Sequence, residues 1–234
     1  MNNIKNCFVT GTDTNIGKTY ISVGLLEALA KKKYKTVGIK PIASGCEQQQ
    51  DELKNIDALA LQAAATLCLP YKLVNPFTFE LPIAPHIAAT AVGVTLNVDS
   101  IMDALRPALS VTSDINIIEG AGGWLVPLNQ YQQLSDLAIK LNSAIVLVVG
   151  IKLGCLNHTL LSVRAIEQSG LPFIGWVANY IDPKMGKNEQ QANIATLEQW
   201  LTAPCLGKIP FAESAATHLN IDLFLQRFAD ASFA

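Results

Sequence analysis

Gly11-Thr12-Asp13-Thr14-Asn15-Ile16-Gly17-Lys18-Thr19 decides the fold. It follows a short apolar run at 7–10 and opens a helical stretch at 20–32, in which Ile21, Leu25, Leu26 and Leu29 recur on one face. A glycine-containing loop between a strand and a helix, ending Gly-Lys-Thr, is the setting of a phosphate-binding loop. Backbone N–H groups and a helix N-terminus there form a concave anion site. Gly17 allows close backbone approach, Lys18 supplies charge to β- and γ-phosphates, and the Thr19 hydroxyl is suited to Mg²⁺. The spacing departs from GxxxxGK[ST]: the first glycine belongs at position 12, and it stands at Gly11.

Outward from the loop, short apolar runs alternate with helical stretches. Strands are expected at 36–40, 116–118, 144–149, 173–179 and 206–209. Helices are expected at 56–67, 98–109, 156–168 and 192–201, and an irregular loop at 75–85, which holds three prolines. Such alternation implies parallel pairing with right-handed crossovers. The expected fold is a single α/β domain over 1–234: one doubly wound, mostly parallel sheet with helices on both faces. Ligands should lie beyond the carboxyl ends of its strands. Half the residues are hydrophobic and only 15% are charged, which excludes disorder and suits a sheet covered on both faces or a subunit interface.

Seventeen basic against nineteen acidic residues leave no nucleic-acid footprint, so no such partner is expected. Lys31, Lys32, Lys33 and Lys35 read as a solvated helix terminus. The longest apolar run, 144–149, is too short to span a membrane. The five cysteines form no CxxC pair and suggest neither disulfides nor zinc. The polar stretch 1–6 carries no signal-peptide core, and the expected compartment is the cytoplasm.

Glu119 ends an apolar strand at the carboxyl edge of the sheet, where a second Mg²⁺ ligand belongs, and Gly120, Ala121, Gly122 and Gly123 let backbone approach a ligand. Asp57, by spacing alone, reads as a helix cap with metal ligation as the alternative. Lys40 ends the second strand beside Pro41 and shares its edge with Lys18; surface charge and site residue are both open readings. His86 reads as a structural hydrogen-bonding residue, His158 as capping or packing, and His218 as exposed. Trp176 and Trp200 read as core, and Trp124 as core or cleft wall.

Taken together these residues resemble the dethiobiotin synthetase family. The likeness runs from GTDTNIGKT at 11–19 through GIKPIASG at 38–45, NIDALALQ at 55–62 and VNPFTFELPIAPHIAA at 74–89. It continues through EGAGGWLVPL at 119–128, VVGIKLGCLNH at 148–158, GWVAN at 175–179 and LGKIPF at 206–211. The resemblance implies ATP- and Mg²⁺-dependent closure of a ureido ring from 7,8-diaminononanoate and CO₂, through a carbamate and a carbamic–phosphoric anhydride. It implies Thr19, Asp57 and Glu119 as Mg²⁺ ligands, which favours the metal reading of Asp57. Lys40, Lys18 and Thr14 resemble catalytic residues, and Ser44 a substrate contact. Asn15, Ile16, Gly17, Lys18, Thr19, Tyr20, Glu119, Gly120, Ala121 and Gly122 are implied around ATP, with Asn179, Pro210 and Phe211 at the base. The family is a homodimer whose site is completed across the interface, which implies Leu153, Gly154 and Asn157 as residues holding the partner's substrate carboxylate. Asn15 stands where the family often carries Glu, and Asn193 where a tyrosine can reach that carboxylate.

Related proteins that act as ATP-driven switches carry a lysine five positions before the loop lysine, and here that position is Asp13. An amidotransferase-type synthetase would need a glutaminase module for which 234 residues leave no room.

Overall fold

A computed structural model describes residues 4–232; the first three residues of the polar N-terminal stretch lie outside it. In chain order the elements are β1 (Asn6–Gly11), α1 (Lys18–Lys31), β2 (Thr36–Ile39), β3 (Ile42–Ser44), β4 (Glu47–Gln49), β5 (Glu52–Lys54) and α2 (Ile56–Ala64). Then come α3 (Tyr71–Val74), β6 (Phe77–Phe79), α4 (Pro85–Ala91), α5 (Val98–Leu109), β7 (Ile115–Glu119) and α6 (Leu134–Lys140). The remainder is β8 (Ala144–Ile151), α7 (Cys155–Gln168), β9 (Phe173–Tyr180), α8 (Lys187–Trp200), β10 (Cys205–Ile209), α9 (Ala215–His218) and α10 (Ile221–Ala231).

Six strands form one sheet in the order β10-β9-β8-β1-β7-β2, every pairing parallel. Two small ribbons, β3–β6 and β4–β5, lie beside it. The alternation of side chains across the strands builds two apolar layers. In β8, Ile145, Leu147, Val149 and Ile151 enter one layer, and Ala144, Val146 and Val148 enter the other. In β1, Phe8 faces the first layer and Cys7 and Val9 the second. Helix α1 closes the second layer with Ile21, Leu25, Leu26 and Leu29, all buried as their spacing predicts. Each such fully buried side chain contributes roughly 1.5–3 kcal/mol.

β1 lies between β7 and β8, where the chain's progress across the sheet reverses. That switch point is where doubly wound sheets open a ligand crevice. The phosphate loop leaves β1 there, with Glu119 in register beside Val9 on the neighbouring strand.

Several expectations need correction. The stretch 75–85 is not wholly irregular: β6 pairs with β3 and α4 starts at Pro85. Helix α8 begins at Lys187, five residues before the expected start, and α10 was not expected. Trp200 is 65% exposed, because the inward stripe of α8 runs through Ile194 and Leu197 to Leu201. Trp176 is fully buried, and Trp124 packs edge-on against Phe8 at 6.3 Å between centroids. His158 is exposed on α7 and neither caps nor packs. His218 is only partly exposed and pairs with Glu213 at 2.7 Å. His86 leaves its buried Nδ1 without a partner among the described residues, and it lines a second cavity of about 800 Å³ with Leu128 and Tyr131. The described cysteines are free. Among the described residues no helix is long and apolar enough to cross a membrane.

Candidate active site

The loop at 11–19 is shaped by two left-handed residues, Asn15 (φ 57°) and Gly17 (φ 89°). Gly17 is the N-cap of α1, so the helix amides face into the loop. Behind it, Asn179 donates from Nδ2 to the Ile16 carbonyl at 2.9 Å. A Cβ on Gly17 would fall 2.2 Å from that Nδ2. Gly17→Ala therefore combines about 1–2 kcal/mol of left-handed strain with loss of a hydrogen bond worth about 1 kcal/mol. A fall of several degrees in Tm is expected, at about 2–4 °C per kcal/mol for this chain length, together with weaker nucleotide binding. An unchanged melting curve would contradict it.

The loop faces a cleft of about 850 Å³. Thr14, Asn15, Gly17, Lys18, Thr19, Tyr20, Lys40, Ser44, Asp57, Glu119, Gly120, Ala121 and Gly122 all line it, joined by Pro82, Ile83, Ala84, Pro85 and Val126. Lys40 sits at its floor, 6% exposed. Its Nζ donates to Glu119 Oε1 at 2.7 Å and to Asp57 Oδ2 at 2.9 Å. Burial alone would lower the Lys40 pKa, but Glu119 and then Asp57 outweigh it and hold the ammonium above the ordinary lysine value. Lys18 differs. Burial pushes it down to about 8, with Glu119 pulling the other way and Lys40 adding to the fall. Its Nζ donates to the Asp13 carbonyl at 2.7 Å.

Glu119 is 1% exposed, and the Thr19 hydroxyl donates to its Oε1 at 2.8 Å. Its other oxygen, Oε2, is buried with no partner among the described residues. A buried carboxylate oxygen without a partner is costly unless a cation or donor meets it. Thr19, Glu119 and the 40%-exposed Asp57 carboxylate thus form an all-oxygen set of the kind Mg²⁺ takes. Among the described residues no group of three or more His, Cys, Asp or Glu side chains forms a metal cage. Mg²⁺ commonly relies on one or two carboxylates plus phosphate oxygens, so the residues fit it.

The cap of α2 is Asn55, whose side chain accepts from the Asp57 and Ala58 amides. Asp57 is not the cap, and its carboxylate is free to meet Lys40. Ser44 Oγ is buried without a partner at the cleft wall. Phe211 is 56% exposed just beyond β10, with Pro210 beside it. Leu153, Gly154 and Asn157 are exposed at the start of α7 and do not line this cleft. Asn193 is half-buried on α8, its amide turned back to the Glu189 carbonyl.

Sequence reasoning missed Lys152. Its Nζ meets Asp13 Oδ2 at 2.7 Å and, with the Thr14 amide, holds the Asp13 carboxyl below its ordinary range. The signal was present in the acid of the loop and the lysine that follows β8, but only the sheet order brings them together. Asn55, Tyr71 and Asn75 were also missed.

A family described as an AAA domain matches residues 5–218. The ATP-dependent dethiobiotin synthetase BioD of Pseudomonas paraeruginosa is 50% identical over 219 residues, covering 92% of this chain and 95% of that protein. The protein of the same name from Cellvibrio japonicus is 47% identical over 222 residues, covering 93% and 96%. Among solved structures, the MinC:MinD cell division protein complex of Aquifex aeolicus aligns with a TM-score of 0.55 at 14% identity, covering 98% of this chain and 94% of that one. Chloroplast FtsY from Physcomitrella patens aligns with a TM-score of 0.54 at 15% identity; 99% of this chain is covered, but only 66% of that one. At these identities the likeness to solved structures is one of fold.

Proposed function

Because the chain belongs to the ATP-dependent dethiobiotin synthetase family, we propose that it closes the ureido ring of dethiobiotin from 7,8-diaminononanoate, CO₂ and ATP, releasing ADP and phosphate in biotin biosynthesis. The observation that carries the reading is the Lys40 ammonium fixed between Glu119 and Asp57 at the mouth of a phosphate loop.

One substrate amine adds to CO₂ and loses a proton, giving a carbamate. A carbamate oxygen then attacks the γ-phosphorus, the bond to the β-phosphate oxygen breaks, and ADP leaves. The second amine attacks the carbonyl of the resulting carbamic–phosphoric anhydride, and phosphate leaves as the ring closes. The chain's task is to hold anions together and in line. The α1 N-terminus and Lys18 take the phosphates. Lys40 holds the carbamate oxygens against the γ-phosphoryl group, with Thr14 and Ser44 Oγ donating to substrate. Asn15, Ile16, Tyr20 and Gly120 to Gly122 frame the nucleotide, and Asn179, Pro210 and Phe211 border its base. Thr19, Asp57 and Glu119 would hold Mg²⁺, which supplies charge neutralisation at the β- and γ-phosphate oxygens.

We assign the substrate carboxylate to Leu153, Gly154 and Asn157 of a second copy, at the N-terminal end of the 14-residue helix α7. The unit is then a homodimer, and its use of ATP points to the cytoplasm. Asn157→Ala is expected to raise KM for the diamine severalfold while KM for ATP stays near wild type. Equal changes in both would remove Asn157 from substrate binding.

Phosphate release tests the function. It should require MgATP, 7,8-diaminononanoate and bicarbonate together. Release from MgATP alone at the same rate would instead make the chain a nucleotide hydrolase or switch.

A further inference from the structure

We propose that Asn55, Tyr71 and Asn75 form a closed positioning ring that sets the two ends of Lys40 and the carboxylate of Asp57; this rests on the reading of the site above. The ring starts at the Lys40 main chain, whose carbonyl accepts from Asn75 Nδ2 at 2.6 Å. Asn75 Oδ1 accepts from the Tyr71 hydroxyl at 2.9 Å. The same hydroxyl oxygen accepts from the Asn55 amide at 2.7 Å. Asn55 Oδ1 caps α2 by accepting from the Asp57 amide at 3.1 Å and the Ala58 amide at 3.3 Å. Asp57 Oδ2 then accepts from Lys40 Nζ at 2.9 Å, and the ring returns to its starting residue. Asn55 Nδ2 also reaches the Ser44 carbonyl at 3.5 Å.

The ring is buried where it matters: Asn55, Asn75 and Lys40 are 6%, 2% and 6% exposed. A lysine has a long, mobile stem, with about 2 kcal/mol of rotamer entropy to lose. Here its amide is tied to Val74 and its carbonyl to Asn75, while its ammonium is tied to Asp57 and Glu119. Both ends are fixed, so the ammonium occupies one place. Asp57 is set by the same ring, because Asn55 fixes the first turn of α2 from which it projects. One oxygen atom, Tyr71 Oη, joins the half of the ring that holds the Lys40 main chain to the half that aims Asp57. None of the three residues touches the cleft, so they are positioning residues. The outer partners of metal-holding and charged groups typically contribute about 10–100-fold to affinity or rate.

Tyr71→Phe in the full-length enzyme removes that oxygen and keeps the ring's shape. The expected result is a fall in kcat of about tenfold with KM for ATP and diamine changed by less than about twofold. Mn²⁺ binding in the presence of ADP, counted by its paramagnetic resonance signal, should weaken by about tenfold as well. A lower Tm with kcat and Mn²⁺ affinity unchanged would overturn the proposal and leave the ring a packing feature. Should Tyr71→Phe fail to fold, Asn55→Ser and Asn55→Ala decide. Ser retains a cap acceptor, so it should recover most of the kcat and Mn²⁺ affinity that Ala loses. Equal values in the two variants would overturn the ring. If the wild type forms no dethiobiotin, the proposed function fails, and the Mn²⁺ measurement still tests the ring.

Discussion

Lys40→Ala should lower turnover by about 10²–10³-fold, the usual loss when one preorganised charge is removed from an active site. ATP should still bind, because the loop, Lys18 and the α1 N-terminus are untouched. The variant should also melt earlier. Glu119, 1% exposed, would lose the ammonium that donates to its Oε1 at 2.7 Å. Removing one member of a buried pair commonly destabilises by about 3–5 kcal/mol. Turnover, nucleotide binding and Tm measured on the same preparation separate these effects. Near-normal turnover would remove Lys40 from the chemistry whatever the stability.

Glu119→Gln tests the other half of the pair. The substitution keeps the shape and the contact with Thr19 but removes the charge. Loss of a charge-assisted contact is worth about 1.5–3 kcal/mol, so the Mg²⁺ concentration giving half-maximal turnover should rise by about ten- to a hundredfold. A second consequence follows from the Lys40 ammonium, which loses the larger of the two carboxylate attractions that offset its burial. Its charged form then becomes less favourable, so turnover should remain low even at saturating Mg²⁺. A titration of rate against Mg²⁺ that overlays the wild type would refute both roles.

What the sequence made legible is what lies close along the chain. The phosphate loop, the apolar face of α1 and Glu119 at the end of β7 each follow from a local pattern, because a strand, a turn and a helix start are set by neighbouring residues. The parallel sheet follows from the alternation of runs. The cap of α2 was harder: Asn55 and Asp57 are both good cap residues two positions apart, and only the hydrogen bonds distinguish them. β6 was hidden by the prolines around it and by its three-residue length. Trp200 stays outside the core because a large aromatic at a helix end packs inward only if the stripe reaches it, and Leu201 ends the stripe instead. The least legible features were tertiary. Lys152 meets Asp13 across 139 residues of chain, and the Lys40 carbonyl meets Asn75 across 35. No spacing rule connects such pairs; the sheet order and the small ribbon beside it do.

The most direct test supplies ¹³C-bicarbonate, 7,8-diaminononanoate and MgATP to the purified protein and follows the product by mass spectrometry alongside released phosphate. Ring closure through a carbamate predicts dethiobiotin carrying the label in its ureido carbonyl, with one phosphate released per ring formed. Phosphate released without labelled dethiobiotin would contradict it, and would leave a nucleotide-binding fold whose acceptor is some other molecule.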